Sequence, residues 1–257
     1  NAHAFGGNSS LQPDLVIVKD RDTDVEWVLA DSSLGALKEL NPIDNSAVET
    51  VAESLLSFNT DGVTLGSDAS WNASSSPNIL FGWKEGATSG VGINSGVSHT
   101  SGTPTNIAHG LGVAPEMIWA KATSTTGAWY VYHNGLTNLA NNFIALDVAA
   151  QAEQTLTDAW GNHNSTNSII DALPSATYSV WSFANVAGLQ QIGHYIGNGS
   201  ADGTFVHTGF RPSYVLCLNI AGDERHIVDA ARSPYNPTKI YNSIDYGQAE
   251  RTTGTQV

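Results

Sequence analysis

The stretch APEMIWAKATSTTGAWYVYH, Ala114 to His133, decides the fold because the chain has already written it once, as QPDLVIVKDRDTDVEWVLAD, Gln12 to Asp31. Pro13, Lys19 and Trp27 recur as Pro115, Lys121 and Trp129, each 102 positions later, and Leu34 recurs as Leu136 at the same offset. Repetition at one fixed period marks a reused structural unit. A third, more diverged copy opens at Pro212 with PSYVLCLNIAGDERHIVDAA. It aligns Tyr214, Val215 and Leu216 with Met117, Ile118 and Trp119, with Leu218 in place of the Lys and His226 in place of the Trp.

The likeness continues deeper into the unit. NILFGWKEG (Asn78 to Gly86) and YSVWSFANV (Tyr178 to Val186) align at an offset of 100, setting Phe81 against Trp181 and Trp83 against Phe183. HGLGVAP and HTGFRP lead to the second and third Pro, each with a Gly three residues before it. The chain therefore divides into an N-terminal arm (1–12), a first β repeat (13–114), a second (115–211) and a partial third (212–257) that completes or caps the fold.

Each unit reads as β. LVIVK and VEWVLAD are apolar runs rich in β-branched residues around the polar DRDTD, a hairpin pattern; MIWAK and AWYVYH around ATSTTG repeat it with Gly127 in the turn. SAVETVAESLL, Ser46 to Leu56, is the one helical candidate, with Val48, Val51, Ala52 and Leu55 at i, i+3, i+4 and i+7. Its counterpart DVAAQAEQTL is weaker. Runs that are apolar at consecutive positions imply strands covered on both faces. The expected fold is mainly β: an antiparallel, jelly-roll-like β-sandwich built from tandem repeats, with at most short helices.

Composition agrees. Gly is abundant at 25 residues and charged residues make up only 13%, which suits short strands joined by polar turns. The 24 acidic and 10 basic residues give a net charge of -14, without any Lys/Arg cluster, so a nucleic-acid partner is excluded on electrostatic grounds. No apolar run nears the ~18 residues of a membrane helix. The lone Cys217, inside YVLCLNI, reads as a buried strand residue and permits no disulfide framework. The chain opens at Asn1 with no signal-peptide pattern, and reads as processed or incompletely represented.

The chemistry-bearing motifs have bland readings beside the sharp ones. Asp20, Asp22 and Asp24 alternate as in a calcium loop, but Val25 stands where such a loop needs Gly and Asp31 where it needs Glu. A solvated acidic turn is expected, with an irregular cation site as the alternative. GNGSADG (Gly197 to Gly203) is followed by TFVHTGF, a strand pattern and not a helix, so it cannot cradle phosphate and is a strand-connecting turn. In GVSH, Ser98 and His99 would point to opposite faces of a strand and make no catalytic pair.

The eight His lack metal-binding spacing, and His109 and His207 are expected to fix backbone where a repeat opens. Trp27, Trp83, Trp119, Trp129 and Trp181 are expected in the core. Trp71 and Trp160, among Asn, Ser and His, read as loop anchors packed on the sheet. The alternative is a glycan contact by Trp71, Trp160 and His163, since an exposed Trp beside amides can stack on a sugar face.

HGLGVAPEMIWAK, AWYVYHNGL, SVWSFANVAGLQQIGHYIGNGSADGTFVHTGFRPSYVL and ARSPYNP together resemble an uncharacterised repeat domain of tailed-bacteriophage virion proteins, tail-fibre-like and other structural proteins often of marine phages. The resemblance spans Pro13 to Pro237, is strongest in YIGNGSADGTFVHTGFRPSYVL, and is weakest in the first repeat, where DRDTD is more acidic than usual.

It implies a β-rich, non-enzymatic virion component, made in the host cytoplasm and exposed on the particle, and offers no catalytic residues. The expected function is a structural or adhesive virion protein, such as a tail fibre, tail appendage or capsid-decorating subunit. It would assemble into symmetric homo-oligomers, with a trimer the guess for a fibre, and bind other virion proteins, without a cofactor or metal. The alternatives are a lectin-like module binding host surface glycan, or a polysaccharide-degrading tailspike with a carboxylate pair in a cleft.

Overall fold

The computed structural model describes residues 2–4, 11–200, 202–234 and 238–252. The strands are β1 (Ala2–Ala4), β2 (Leu15–Asp20), β3 (Val28–Asp31), β4 (Lys38–Glu39), β5 (Glu49–Thr50), β6 (Leu55–Asn59) and β7 (Gly62–Leu65). After the one-turn helix α1 (Ala69–Asn72) come β8 (Asn78–Trp83), β9 (Val91–His99), β10 (Thr105–Ala108), β11 (Met117–Ala122), β12 (Trp129–His133), β13 (Asn142–Ala145) and β14 (Gln154–Thr155). The chain continues with β15 (Asn167–Ile170), β16 (Ala176–Phe183), β17 (Tyr214–Cys217), β18 (His226–Asp229) and β19 (Asn242–Ser243). The mainly β class is what the chain adopts, and every pairing is antiparallel. The strands lie in six sheets, the largest ordered β14-β13-β12-β11-β16-β9.

Both expected hairpins form, and their registers coincide. Leu15 stands opposite Asp31 and opposite Trp83; Met117 stands opposite His133 and opposite Phe183. In both of these segments the opening strand therefore lies between its hairpin partner and a later strand carrying alternate aromatics. β17 and β18 form the third hairpin. Its loop is one residue shorter, so His226 faces Cys217 as Tyr130 faces Ala120. The residue in the place of Trp129 is consequently Arg225, not His226. The backbone confirms the correction: Trp129 N donates to Asp147 Oδ1 (2.9 Å), and Arg225 N to Asp245 Oδ1 (3.1 Å).

One backbone tie links the three segments in a closed cycle. Val48 N donates to Thr123 O (3.2 Å), Glu153 N to Ile220 O (3.0 Å) and Glu250 N to Arg21 O (2.7 Å). The acceptors Arg21, Thr123 and Ile220 hold one alignment position, just past the opening strand or near it. Side chains repeat the cycle. The Trp129 indole donates to Asn41 O and the Trp27 indole to Ser243 O, both at 2.9 Å. The Arg225 guanidinium reaches Val148 O and Gln151 O, both at 2.8 Å.

Inside this cycle lies one core. Leu15, Ile17, Trp27 and Leu29 of the first segment meet Trp119, Trp129, Trp181 and Phe183 of the second and Ile227 and Ile244 of the third. Alternation along β2 sends Val16 and Val18 to the other face, where Leu55, Val63 and Trp71 cover them. Lys19 and Lys121 are fully buried, yet each ammonium closes its own hairpin loop: Lys121 Nζ reaches Gly127 O at 2.6 Å and Lys19 Nζ reaches Thr23 O at 3.0 Å. Burial pulls both below the ordinary lysine range, Lys121 to about 8.

Several expectations change. Ser46 to Leu56 is no helix: β5 pairs with β4 there, Val51 N bonds Leu37 O, and β6 begins at Leu55. The helical spacing of apolar residues is overridden by strand pairing, to which Val48, Thr50 and Val51 are suited. DVAAQAEQTL likewise gives β14, and the helix that does form is α1, capped by the Asp68 carboxylate on Ser70 N. TFVHTGF forms no strand, and Cys217 is exposed, not buried, because β17 lies at a sheet edge. Trp83 is half-buried, while the other four expected core indoles are buried. Of the N-terminal arm, residues 1 and 5–10 lie outside the described residues and β1 pairs with β7; residues 235–237 of ARSPYNP and the final five lie outside as well.

Candidate functional site

Trp71 and Trp160 are loop anchors. They are 1% and 2% exposed, and their indoles donate to Glu39 Oε2 (2.7 Å) and Asn142 O (3.0 Å). A buried ring offers no face for a sugar, so the glycan contact expected as the alternative has no platform at these residues. Trp160 and His163 do come together around Tyr132, with ring centroids 4.4 Å apart for Tyr132 and His163. Trp71 belongs to the separate cluster over β2. His163 Nδ1 accepts from Ile169 N (3.0 Å), and burial pulls the imidazole down to about 4.

The acidic turn is likewise occupied by its own backbone. Asp20 Oδ1 accepts from Asp22 N and Thr23 N, and Oδ2 from the Ser76 hydroxyl, while Asp24 accepts from Ala249 N. Among the described residues no group of three or more His, Cys, Asp and Glu side chains is placed to hold a metal ion. Ser98 is exposed and His99 buried, on opposite faces of β9. His109 is buried between Asn164 O and Leu111 N, fixing backbone as expected, whereas His207 is exposed.

Two surface features remain. The first is an acidic hollow of about 180 Å³ bordered by Glu26, Glu39, Asp44, Glu49 and the amide of Asn41. Burial raises the Glu26 and Glu39 carboxyls, with Asp44 adding to Glu26 and Asp68 and Glu49 to Glu39. Each carboxylate already has a protein donor: Asn41 for Glu26, and the Trp71 indole for Glu39.

The second is an apolar excursion between β16 and β17. Ile196 and Phe205 are 87% and 86% exposed, and Leu189, Tyr195 and Val206 are exposed beside them. Among the described residues the tip is held by Asn198 Nδ2 on Asp202 O (2.9 Å), Ser200 N on Asn198 Oδ1 (3.0 Å), Asp202 N on Ser200 Oγ (3.1 Å) and Thr204 Oγ1 on Ile196 O (3.0 Å). The limb Phe205 to Pro212 curls around a hollow of about 340 Å³. Tyr195 meets the Cys217 side chain, whose thiol is pushed above its ordinary value by apolar surroundings and is therefore no ready nucleophile. Exposed apolar residues gathered in one place mark an interaction surface more often than a reaction centre.

The sequence contained this excursion in plain view, in YIGNGSADGTFVHTGF, but an apolar alternation alone does not tell a paired strand from an unpaired one. The buried Asp31 was also missed. It accepts from Leu34 N (2.7 Å), the Trp181 indole (3.1 Å) and Ser95 Oγ (3.4 Å), and burial raises it to about 6. It fastens the first segment to the second, a role that only the fold reveals.

No curated protein and no solved structure matches the chain. Residues 6–257 match a family described as a domain of unknown function, DUF7483, and the chain belongs to that family.

Proposed function

We propose that this chain is a non-enzymatic structural module of a virion, a fibre, appendage or decorating subunit that assembles with other virion proteins. The observation that carries the reading is the closed cycle of ties from Val48, Glu153 and Glu250 to Thr123, Ile220 and Arg21. It favours three copies of one β unit, about 100 residues in period, locked head to tail into a rigid block. The groups that chemistry would use serve the same end. Asp31, Arg225, Lys19 and Lys121 are buried in hydrogen bonds within the chain. The phage setting comes from the resemblance of the sequence motifs. Symmetric association of such blocks, as a trimer or otherwise, belongs to the same proposal.

Immunogold labelling of particles purified from the source culture, with an antibody raised against the chain, tests it. Regular labelling of the particle is expected. Absence of the chain from purified particles, or release of reducing ends from host polysaccharide by the purified protein, would sink the reading.

A further inference from the structure

The opening strand of a segment has two neighbours in two cases out of three. β2 lies between β3 and β8, and β11 between β12 and β16. β17 has β18 on one side, and on the other no strand among the described residues. The vacant lane has a defined chemistry, because the two filled ones agree. Leu15 and Ile17 face Trp83 and Phe81, and Met117 and Trp119 face Phe183 and Trp181. The corresponding residues of the third segment are Tyr214 and Leu216, both half-buried.

The far wall of the lane is also present. Beyond β16 lies β9, a strand that follows β8 in the chain and is thus lent by the first segment to the sheet of the second. The stretch that follows β16 in the same way runs into the excursion containing Tyr195 and Ile196. It lies beside β17, with Tyr195 on Cys217, but does not pair with it. Its apolar residues Tyr195 and Ile196 are exposed, with no strand covering them among the described residues. The outward residues of β17 tell the same story: Val16, Val18, Ile118 and Ala120 are buried, while Val215 is half-buried and Cys217 exposed.

We infer that the free edge of β17 and the exposed residues Tyr195, Ile196, Phe205 and Val206 form an acceptor for an extended segment of a partner polypeptide. The segment runs antiparallel to β17, carries large aromatic residues at alternate positions, and is clasped on its far side by the excursion. Such strand addition draws affinity from backbone hydrogen bonds and specificity from alternate side-chain pockets. A second copy of this chain is not the donor, because its strands of this pattern are committed. β16 lies between two strands, and Phe81 and Trp83 of β8 pack on Tyr214 at 4.8 and 5.6 Å.

The test uses the intact chain and a synthetic peptide of residues 174–185, which contains the aromatic alternation of β16. Hydrogen exchange at Tyr214–Cys217 is expected to slow at least tenfold on adding the peptide, and maleimide labelling of Cys217 to slow in parallel. A control peptide with the positions of Trp181 and Phe183 changed to Ser should do neither. No protection, or equal protection by the control peptide, overturns the inference. So does concentration-dependent protection of the same amides without peptide, which would make a second copy the occupant.

Discussion

Two half-buried histidines, His133 and His163, should make the fold labile in mild acid. His133 Nδ1 accepts from Gly135 N (2.9 Å) and His163 Nδ1 from Ile169 N (3.0 Å), so each ring is neutral with its proton on Nε2. Protonation would set an N–H against a backbone N–H, and the His163 Nε2 is itself buried without a partner. Burial, with His194 near His133 and His109 near His163, lowers both imidazoles to about 4.

A folded pKa below the unfolded value of roughly 6.5 means that the unfolded chain binds more protons between those limits. Stability is therefore lost as pH falls from 6.5 towards 4. From pH 7 to 5 the linkage integral is about 1.8 kcal/mol for each histidine. Asp31 works in the opposite sense: raised to about 6, it is protonated in the fold before it would be in the unfolded chain. It returns about 1.3 kcal/mol over the same range, leaving a net loss of roughly 2 kcal/mol.

Urea denaturation at the two pH values measures this directly. His163→Asn keeps an acceptor near the Nδ1 position without the titration, and should reduce the pH-dependent loss by about 2 kcal/mol. A His133 or His163 resonance that titrates near the unfolded value of roughly 6.5 in the folded protein, or an unchanged pH dependence in the Asn variant, would refute the reasoning.

Other expectations follow from the ties between segments. Arg225→Leu strips the carbonyls of Val148 and Gln151 and the buried Asp245 carboxylate of their partner, and should cost about 3–5 kcal/mol in chemical denaturation. Gly90→Ala should cost about 2–4 kcal/mol, because Gly90 has φ +72° and a Cβ would lie 2.5 Å from Ala184 O. Lys121→Met tests the buried ammonium. Its folded pKa near 8 means that wild-type stability rises with pH from 8 towards the unfolded value. The wild type should gain about 2 kcal/mol over the variant between pH 8 and 10, read from paired urea titrations.

What the sequence made legible was the part of the fold encoded by local register. The hairpins after Pro13 and Pro115 could be read because continuous apolar, β-branched runs on either side of a polar turn fix both strands together. The likeness of the first two hairpins could be read from Lys and Trp because both residue types make bonds that the fold needs at those positions. Lys19 and Lys121 close their loops, and Trp27 and Trp129 each reach the preceding segment of the cycle.

The helix misreading comes from long-range pairing that no local pattern announces. Val48 and Val51 have helical spacing, yet Val48 N is needed by Thr123 O, a partner 75 positions away. Arg225 escaped notice because one missing loop residue shifts the third hairpin, and charge replaces an indole while the contact to the preceding segment survives. The glycan reading of Trp71 and Trp160 meets two buried indoles, because polar flanking residues do not say which way an indole turns.

The same logic explains why the most exposed apolar residues resemble a strand without being one. Phe205 and Ile196 have the alternation that β9 and β10 realise in the first segment, but a strand exists only by virtue of its neighbour. In a molecule whose other opening strands are flanked on both sides, that missing neighbour is what makes the free edge of β17 the acceptor inferred above.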